Sequence, residues 1–133
     1  MWPEPVERIA TFLRDSEAQG RIEELPAGVD TSPGPQLRAA GFECDGRSLV
    51  VLVPADRAVD GDKLARCAGC SSLRPAASPP FPFHPARVLL DRSVLALQNV
   101  WMEAGSARHF LGVPPSQLVR LTRAETGDVL LED

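Results

Sequence analysis

His84-Pro85-Ala86-Arg87-Val88-Leu89-Leu90-Asp91, then Val100-Trp101-Met102-Glu103-Ala104-Gly105-Ser106, then Val113-Pro114-Pro115-Ser116-Gln117-Leu118-Val119-Arg120-Leu121-Thr122 is the succession that decides the fold of this chain. A proline-rich loop feeds an apolar strand closed by Asp91, and a second apolar strand ends in Ala-Gly-Ser. A short helix, entered through two prolines, then carries a Leu-x-x-Leu pair.

The same punctuation organises the rest of the chain. Pro5 suits a first helical turn, and Val6, Ile9, Ala10, Phe12 and Leu13 draw one apolar helical stripe that ends near Gly20. Residues 22–25 read as a short strand, and 26–35, broken by Pro26, Gly28, Pro33, Gly34 and Pro35, as loop. Strands over 37–44 and 48–53 joined by Asp45-Gly46 form a hairpin, since Asp-Gly takes the positive φ values that tight hairpins need. The unbroken run Leu49-Val50-Val51-Leu52-Val53 predicts burial on both faces. Asp60 caps a helix over 62–68 that Gly69 stops. Residues 71–85, with five prolines, read as loop.

Beyond that loop, 87–90 and 100–104 are strands, with a helical turn near 93–97 between them. Gly105 turns the chain into 107–111, 115–121 is helical, and 129–131 is a last strand. Without a strict βαβ rhythm, repeat or long linker, the expectation is one α+β domain over 1–133. It would be built on a single mixed, strongly curled, barrel-like sheet flanked by short helices, containing 49–53, 87–90 and 100–104, with Leu52, Leu89 and Val100 buried.

A chain of 133 residues with 44% hydrophobic and 24% charged residues fits one globular domain. No apolar run approaches the ~18 residues of a membrane span and no signal-peptide core opens the chain, so a cytoplasmic location and no membrane association are expected. A net charge of −4 disfavours a broad nucleic-acid-binding face while leaving room for a local basic patch among fourteen Lys and Arg. Three cysteines without a signal peptide argue against a disulfide framework. Cys67-Ala68-Gly69-Cys70 sits at the end of a helix rather than opening one, so both thiols are expected reduced and unmetallated. A redox pair, or a metal site completed from Cys44, His84 and His109, stays open as the alternative. No cofactor is indicated. Two histidines in no H-x-E or H-E-x-x-H pattern disfavour a metallohydrolase.

Taken in order, these elements resemble the YbaK/ProRS-associated domain family, which deacylates mischarged tRNA. Besides the stretches quoted at the outset, the resemblance rests on Arg38-Ala39-Ala40-Gly41-Phe42-Glu43-Cys44-Asp45-Gly46, on 49–53 followed by Pro54-Ala55-Asp56-Arg57, and on Val59-Asp60-Gly61-Asp62-Lys63-Leu64-Ala65. It covers nearly the whole chain, loosely up to Pro35 and best from Pro79 onward, and it lies in the order of motifs rather than in any one of them.

The resemblance implies a trans-editing aminoacyl-tRNA deacylase that hydrolyses the ester of a mischarged small amino acid. Its implied partners are the acceptor end of tRNA and an aminoacyl-tRNA synthetase. Registering on Asp45-Gly46 puts Arg38 at the family's functional Lys, where a cation stabilises negative charge as water attacks. Arg keeps the charge but cannot act as a base. The family's Gly-x-x-x-Pro loop, whose backbone cradles the aminoacyl carbonyl, corresponds to Ala76, Ala77, Ser78, Pro79 and Pro80, with Ala76 in place of the glycine. The small-residue turn that lines the amino-acid pocket corresponds to Gly105 and Ser106, with His109 beside it. Arg38 is thus the catalytic candidate, and Ala76, Ala77, Ser78, Pro80, Gly105, Ser106 and His109 are the substrate-binding candidates. Each has a plainer reading. Arg38 can be a solvated rim residue, 76–80 a connector packing Phe81 and Phe83, Gly105 an ordinary turn, and His109 an exposed side chain. The replaced Lys and Gly also fit a catalytically weakened relative that binds tRNA, an aminoacyl group or a protein partner without turnover.

Overall fold

The protein is described by a computed structural model covering residues 1–132. Helix α1 (Glu4–Asp15) leads into strand β1 (Arg21–Glu24), and the hairpin β2 (Leu37–Cys44) and β3 (Arg47–Pro54) follows. Helix α2 (Gly61–Ala68), a short strand β4 (Leu73–Pro75) and strand β5 (Arg87–Asp91) come next. A 3-10 turn (Arg92–Ala96) precedes the hairpin β6 (Val100–Ser106) and β7 (His109–Val113), and helix α3 (Pro115–Thr122) and strand β8 (Glu125–Gly127) complete the order.

The local signals act as their chemistry requires. Asp45 and Gly46 take φ of 51° and 83° at the β2–β3 turn, the left-handed conformations of a two-residue hairpin. The Asp60 carboxylate accepts from the N–H groups of Asp62 and Lys63 at 2.9 and 3.2 Å, satisfying donors that the first turn of α2 leaves free. Gly69 ends α2 at φ 74°.

Strand β3 is the spine. Val50 and Leu52 face the larger apolar cluster with Ile9 and Leu13 of α1, Val88 and Leu90 of β5, Val100 and Met102 of β6, and Leu118 and Leu121 of α3. Leu49, Val51 and Val53 face the other way, onto Leu64 and Ala68 of α2, with Leu89, Val129 and Leu130. Burying each such side chain contributes about 1.5–3 kcal/mol, so a strand buried on both faces holds two layers to one sheet. Leu52, Leu89 and Val100 are all buried, as expected.

The sheet is not the expected one. There are two: five strands in the order β4-β2-β3-β5-β8, and three in the order β1-β7-β6. Neither is closed or barrel-like. The segment 100–104 therefore lies outside the sheet that holds 49–53 and 87–90. Between the two sheets stands one isolated parallel bridge, Gln36 with Trp101, supported by the Trp101 N–H donating to the Pro35 carbonyl at 2.9 Å. The physical reason lies on either side of the bridge. Pro35 has no N–H to give, which ends the pairing on the N-terminal side of the bridge, and on the other side the 76–78 backbone at Gly41 and β4 from Phe42 onward occupy the free edge of β2.

Three further expectations are corrected. The loop 71–85 contains β4, which pairs with the end of β2 at Phe42–Pro75, Glu43–Arg74 and Cys44–Leu73. The Asp45 carboxylate anchors its approach by accepting from the Ser71 and Ser72 N–H groups. The last strand is β8 and not 129–131, where a single bridge joins Leu130 to Val59. The Asp91 carboxylate takes the Val129 N–H at 3.1 Å instead. Cys70 is not a free thiol but forms a disulfide with Cys44, leaving Cys67 free and exposed. Gly69 turns the chain out of α2, so Cys70 reaches the end of β2 at a Cα separation of 5.4 Å, while Cys67 stays on the helix against Asp128.

Candidate functional site

A cleft of about 490 Å³ opens where the two sheets diverge. From the Gln36–Trp101 bridge the two strands run in the same direction and splay apart. Gln36, Leu37, Arg38 and Ala39 form one wall and Met102, Glu103, Gly105, Ser106 and Ala107 the other. Ser78, Pro79, Pro80 and Phe81 close a third side, with Ile9 and Phe83 at the base.

Of the residues singled out from the sequence, Arg38, Ser78, Pro80, Gly105 and Ser106 line this one cleft. They come from β2, from the β4–β5 connection and from the end of β6. Among the described residues Arg38 is the one cation and Glu103 the one carboxylate in its lining. Arg38 pairs with Val53, and Ala39 pairs with Leu52. Paired residues share a sheet face, so Ala39 shares the face of Leu52 and Arg38 that of Val53, and both border the cleft at the edge of β2. The half-buried guanidinium is held at the strand edge, where Nη2 donates to the Arg57 carbonyl at 3.0 Å.

Ala76 and Ala77 do not line the cleft. Their backbone crosses β2 at Gly41, where an added Cβ would lie 2.5 Å from the Ala76 carbonyl oxygen and 2.7 Å from the Ala77 carbonyl carbon. The Ala76 N–H donates to the Gly41 carbonyl at 3.0 Å and is spent there. Glycine at 41 is what lets the connection approach, and that close passage holds Ser78 to Pro80 over the cleft.

Gly105 has φ 89° and lies so close to the start of α1 that a Cβ would stand 2.8 Å from the Pro5 carbonyl carbon. His109 is buried rather than exposed, at 5% accessibility. Its Nδ1 is 2.7 Å from Ser106 Oγ, and its ring meets Trp2 edge-on at 5.4 Å. On the other side, Nε2 stands 3.7 Å from Glu24 Oε1 and has no hydrogen-bond partner. His109 therefore reaches the cleft through Ser106 and not directly. The wall residues Gln36 and Glu103 were not among the sequence candidates. Glu103 did leave a signal, as a charged residue inside an apolar strand, whereas Gln36 and Glu24 left none.

Among the described residues no group of three or more His, Cys, Asp or Glu side chains gathers as a metal site would require. No helix among them is long and apolar enough to cross a membrane.

No known family profile matches the sequence, and no curated protein matches it significantly. Solved structures do match. A protein provisionally assigned as a trans-editing enzyme for prolyl tRNA synthetase superposes with a TM-score of 0.85 at 22% identity, over 99% of this chain and 100% of that one. A protein from work on grafting epitope backbones onto scaffold proteins gives 0.84 at 20% identity, covering 99% and 100%. A hypothetical protein gives 0.80 at 18% identity, covering 93% and 99%. The chain thus shares an α+β fold, over nearly its whole length, with these solved structures.

Proposed function

We propose that this chain is a trans-editing aminoacyl-tRNA deacylase, cytoplasmic, which hydrolyses the ester of a mischarged small amino acid on the tRNA acceptor end. One observation carries the reading. A single cleft gathers Arg38, the Ser78–Pro80 stretch and the Gly105–Ser106 turn in a fold shared with a protein provisionally assigned to prolyl-tRNA editing. In this reading Arg38 steers the terminal phosphate or ribose, a charge-assisted contact that a guanidinium suits. The 76–80 connection covers the ester, with Ser78 and Pro80 in contact and Ala76 and Ala77 acting through the backbone that carries them. Gly105 and Ser106 border the amino-acid side chain, and His109 acts from behind Ser106. A synthetase that supplies the mischarged tRNA is the expected protein partner.

The test is a panel of mischarged aminoacyl-tRNAs scored for enzyme-dependent loss of the ester. Accelerated hydrolysis of one small aminoacyl group is the expected result, and a rate equal to the buffer rate across the panel overturns the reading.

A second reading is binding without turnover. It is favoured by the engagement of the Arg38 guanidinium on the Arg57 carbonyl, which takes up one of its donors. Saturable binding of an uncleaved aminoacyl-tRNA in the same panel distinguishes it.

A further inference from the structure

We propose that Ser106, His109 and Glu24 form a proton relay that makes the Ser106 hydroxyl a nucleophile toward an ester carbonyl in the cleft. The substrate rests on the deacylase reading; the relay geometry does not. The three residues stand opposite one another across adjacent strands, Ser106 paired with His109 between β6 and β7, and His109 with Glu24 between β7 and β1. Directly opposed residues present their side chains on one face about 4.5–5.5 Å apart at Cβ, so the sheet itself sets the row.

Ser106 Oγ lies 2.7 Å from His109 Nδ1, and Glu24 Oε1 lies 3.7 Å from Nε2 at the far side of the ring. Glu24 is half exposed, so a side-chain movement of roughly 1 Å brings it to hydrogen-bond distance. With the proton on Nε2 facing that carboxylate, Nδ1 turns a lone pair to the Ser106 hydroxyl. The Arg108 N–H donates to Oγ at 3.0 Å, leaving Oγ its own proton to give and a lone pair to attack with. A structural turn explains the Oγ contact with Arg108. It does not explain a buried imidazole whose Nε2 has no partner, an arrangement that folded proteins rarely keep without a use.

The chemistry balances without a co-reactant. As Oγ bonds to the acyl carbon, the Oγ–H proton passes to Nδ1, and the imidazolium is held against Glu24. Collapse breaks the bond from the acyl carbon to the ribose oxygen, which takes the proton from Nδ1 and departs. Water then adds to the Ser106 ester, giving its proton to Nδ1, and Oγ leaves with that proton.

The test is labelling with a fluorophosphonate, followed by intact mass and peptide mapping. One adduct on Ser106 is expected, absent in Ser106→Ala. It should form about tenfold or more slowly in His109→Asn, whose amide holds the hydroxyl but takes no proton, and by a smaller factor in Glu24→Gln. The same proteins are run on the mischarged-tRNA panel. Labelling that depends on His109, with no tRNA hydrolysis, overturns the deacylase reading and leaves the relay standing. Hydrolysis that persists in Ser106→Ala, or folded wild type that gives no Ser106 adduct, overturns the relay and leaves the deacylase. If His109→Asn does not fold, Ser106→Cys in a Cys67→Ser background replaces it. A thiol paired with imidazole should be alkylated by iodoacetamide at pH 6.5 about tenfold faster than glutathione, and an equal rate overturns the relay.

Discussion

Asp91 shows how much one residue carries. It is 2% exposed, and its carboxylate accepts from the N–H groups of Ser93 and Val129 at 3.0 and 3.1 Å and from the Ser93 hydroxyl. A buried carboxylate with those donors closes β5, starts the 3-10 turn and ties down the C-terminal segment. Asp91→Ala should cost about 2–4 kcal/mol in urea denaturation, because two amide donors lose a charged acceptor; a cost under ~0.5 kcal/mol would mean that water replaces it. Arg38 tests the proposed site. If it holds a phosphate or carbonyl, Arg38→Ala should reduce deacylation roughly ten- to a hundredfold, and Arg38→Lys should preserve or raise it. Turnover gained only in Arg38→Lys would favour the weakened relative. The place of Arg38 on β2 was readable from the Asp45-Gly46 hairpin. Its hydrogen bond to Arg57 was not, since that contact depends on where the β3–α2 connection runs.

At the scale of elements, the cleft depends on one crossing. The 76–78 backbone fits over β2 because position 41 has no Cβ, and the atoms it would meet are backbone, which cannot yield as a flexible side chain does. Gly41→Ala should therefore destabilise by about 1–3 kcal/mol and raise amide hydrogen exchange in 76–80; unchanged exchange there would separate the connection from the crossing. The parallel contact of β5 with β8 carries an ion pair, Arg87 Nε to Glu125 Oε2 at 2.6 Å. The hydrogen bond from Arg87, opposed by partial burial and aided by its charge, holds the Glu125 carboxyl below its ordinary value. A depressed folded pKa means that this stabilisation is present above the unfolded carboxylate value and is lost as pH falls through the lower, folded one. Both side chains are about half exposed, so solvent screening limits the pair to ~0–1 kcal/mol. Glu125→Gln should lower stability by that much at pH 7, with the difference from wild type vanishing as pH falls through the folded value; a constant difference would assign the effect to packing.

At the scale of the whole molecule, the Cys44–Cys70 disulfide joins residues 26 apart in sequence, fastening the end of the β2–β3 hairpin to the exit of α2. Closing a loop of that length in the unfolded chain corresponds to about 2–4 kcal/mol. Cys44→Ser should lose that amount without reductant and match wild type once both are reduced; a difference that persists under reductant would be packing at β2. The two sheets share one core, in which α1, α3 and the three-stranded sheet cover the face of the larger sheet opposite α2. That arrangement places the cleft where the sheets part.

Local chemistry along the chain sets where most elements lie and which faces they bury, with β4 and β8 as the exceptions. Asp60 and Gly69 bracket α2, Asp45 and Gly46 turn β2 into β3, and the run 49–53 requires an apolar layer on each side. Those signals are local: a cap, a turn or a period is set by residues a few positions apart. Packing across the whole chain sets β6 beside β7 and β1 rather than in the sheet of β3 and β5, brings Cys70 to Cys44, and lines up Glu24, Ser106 and His109 in one row. Strand pairing and cross-linking between distant segments carry no local pattern. They follow from which partners remain once the whole core has packed, as where the 76–78 backbone and β4 take the edge of β2 that β6 would need.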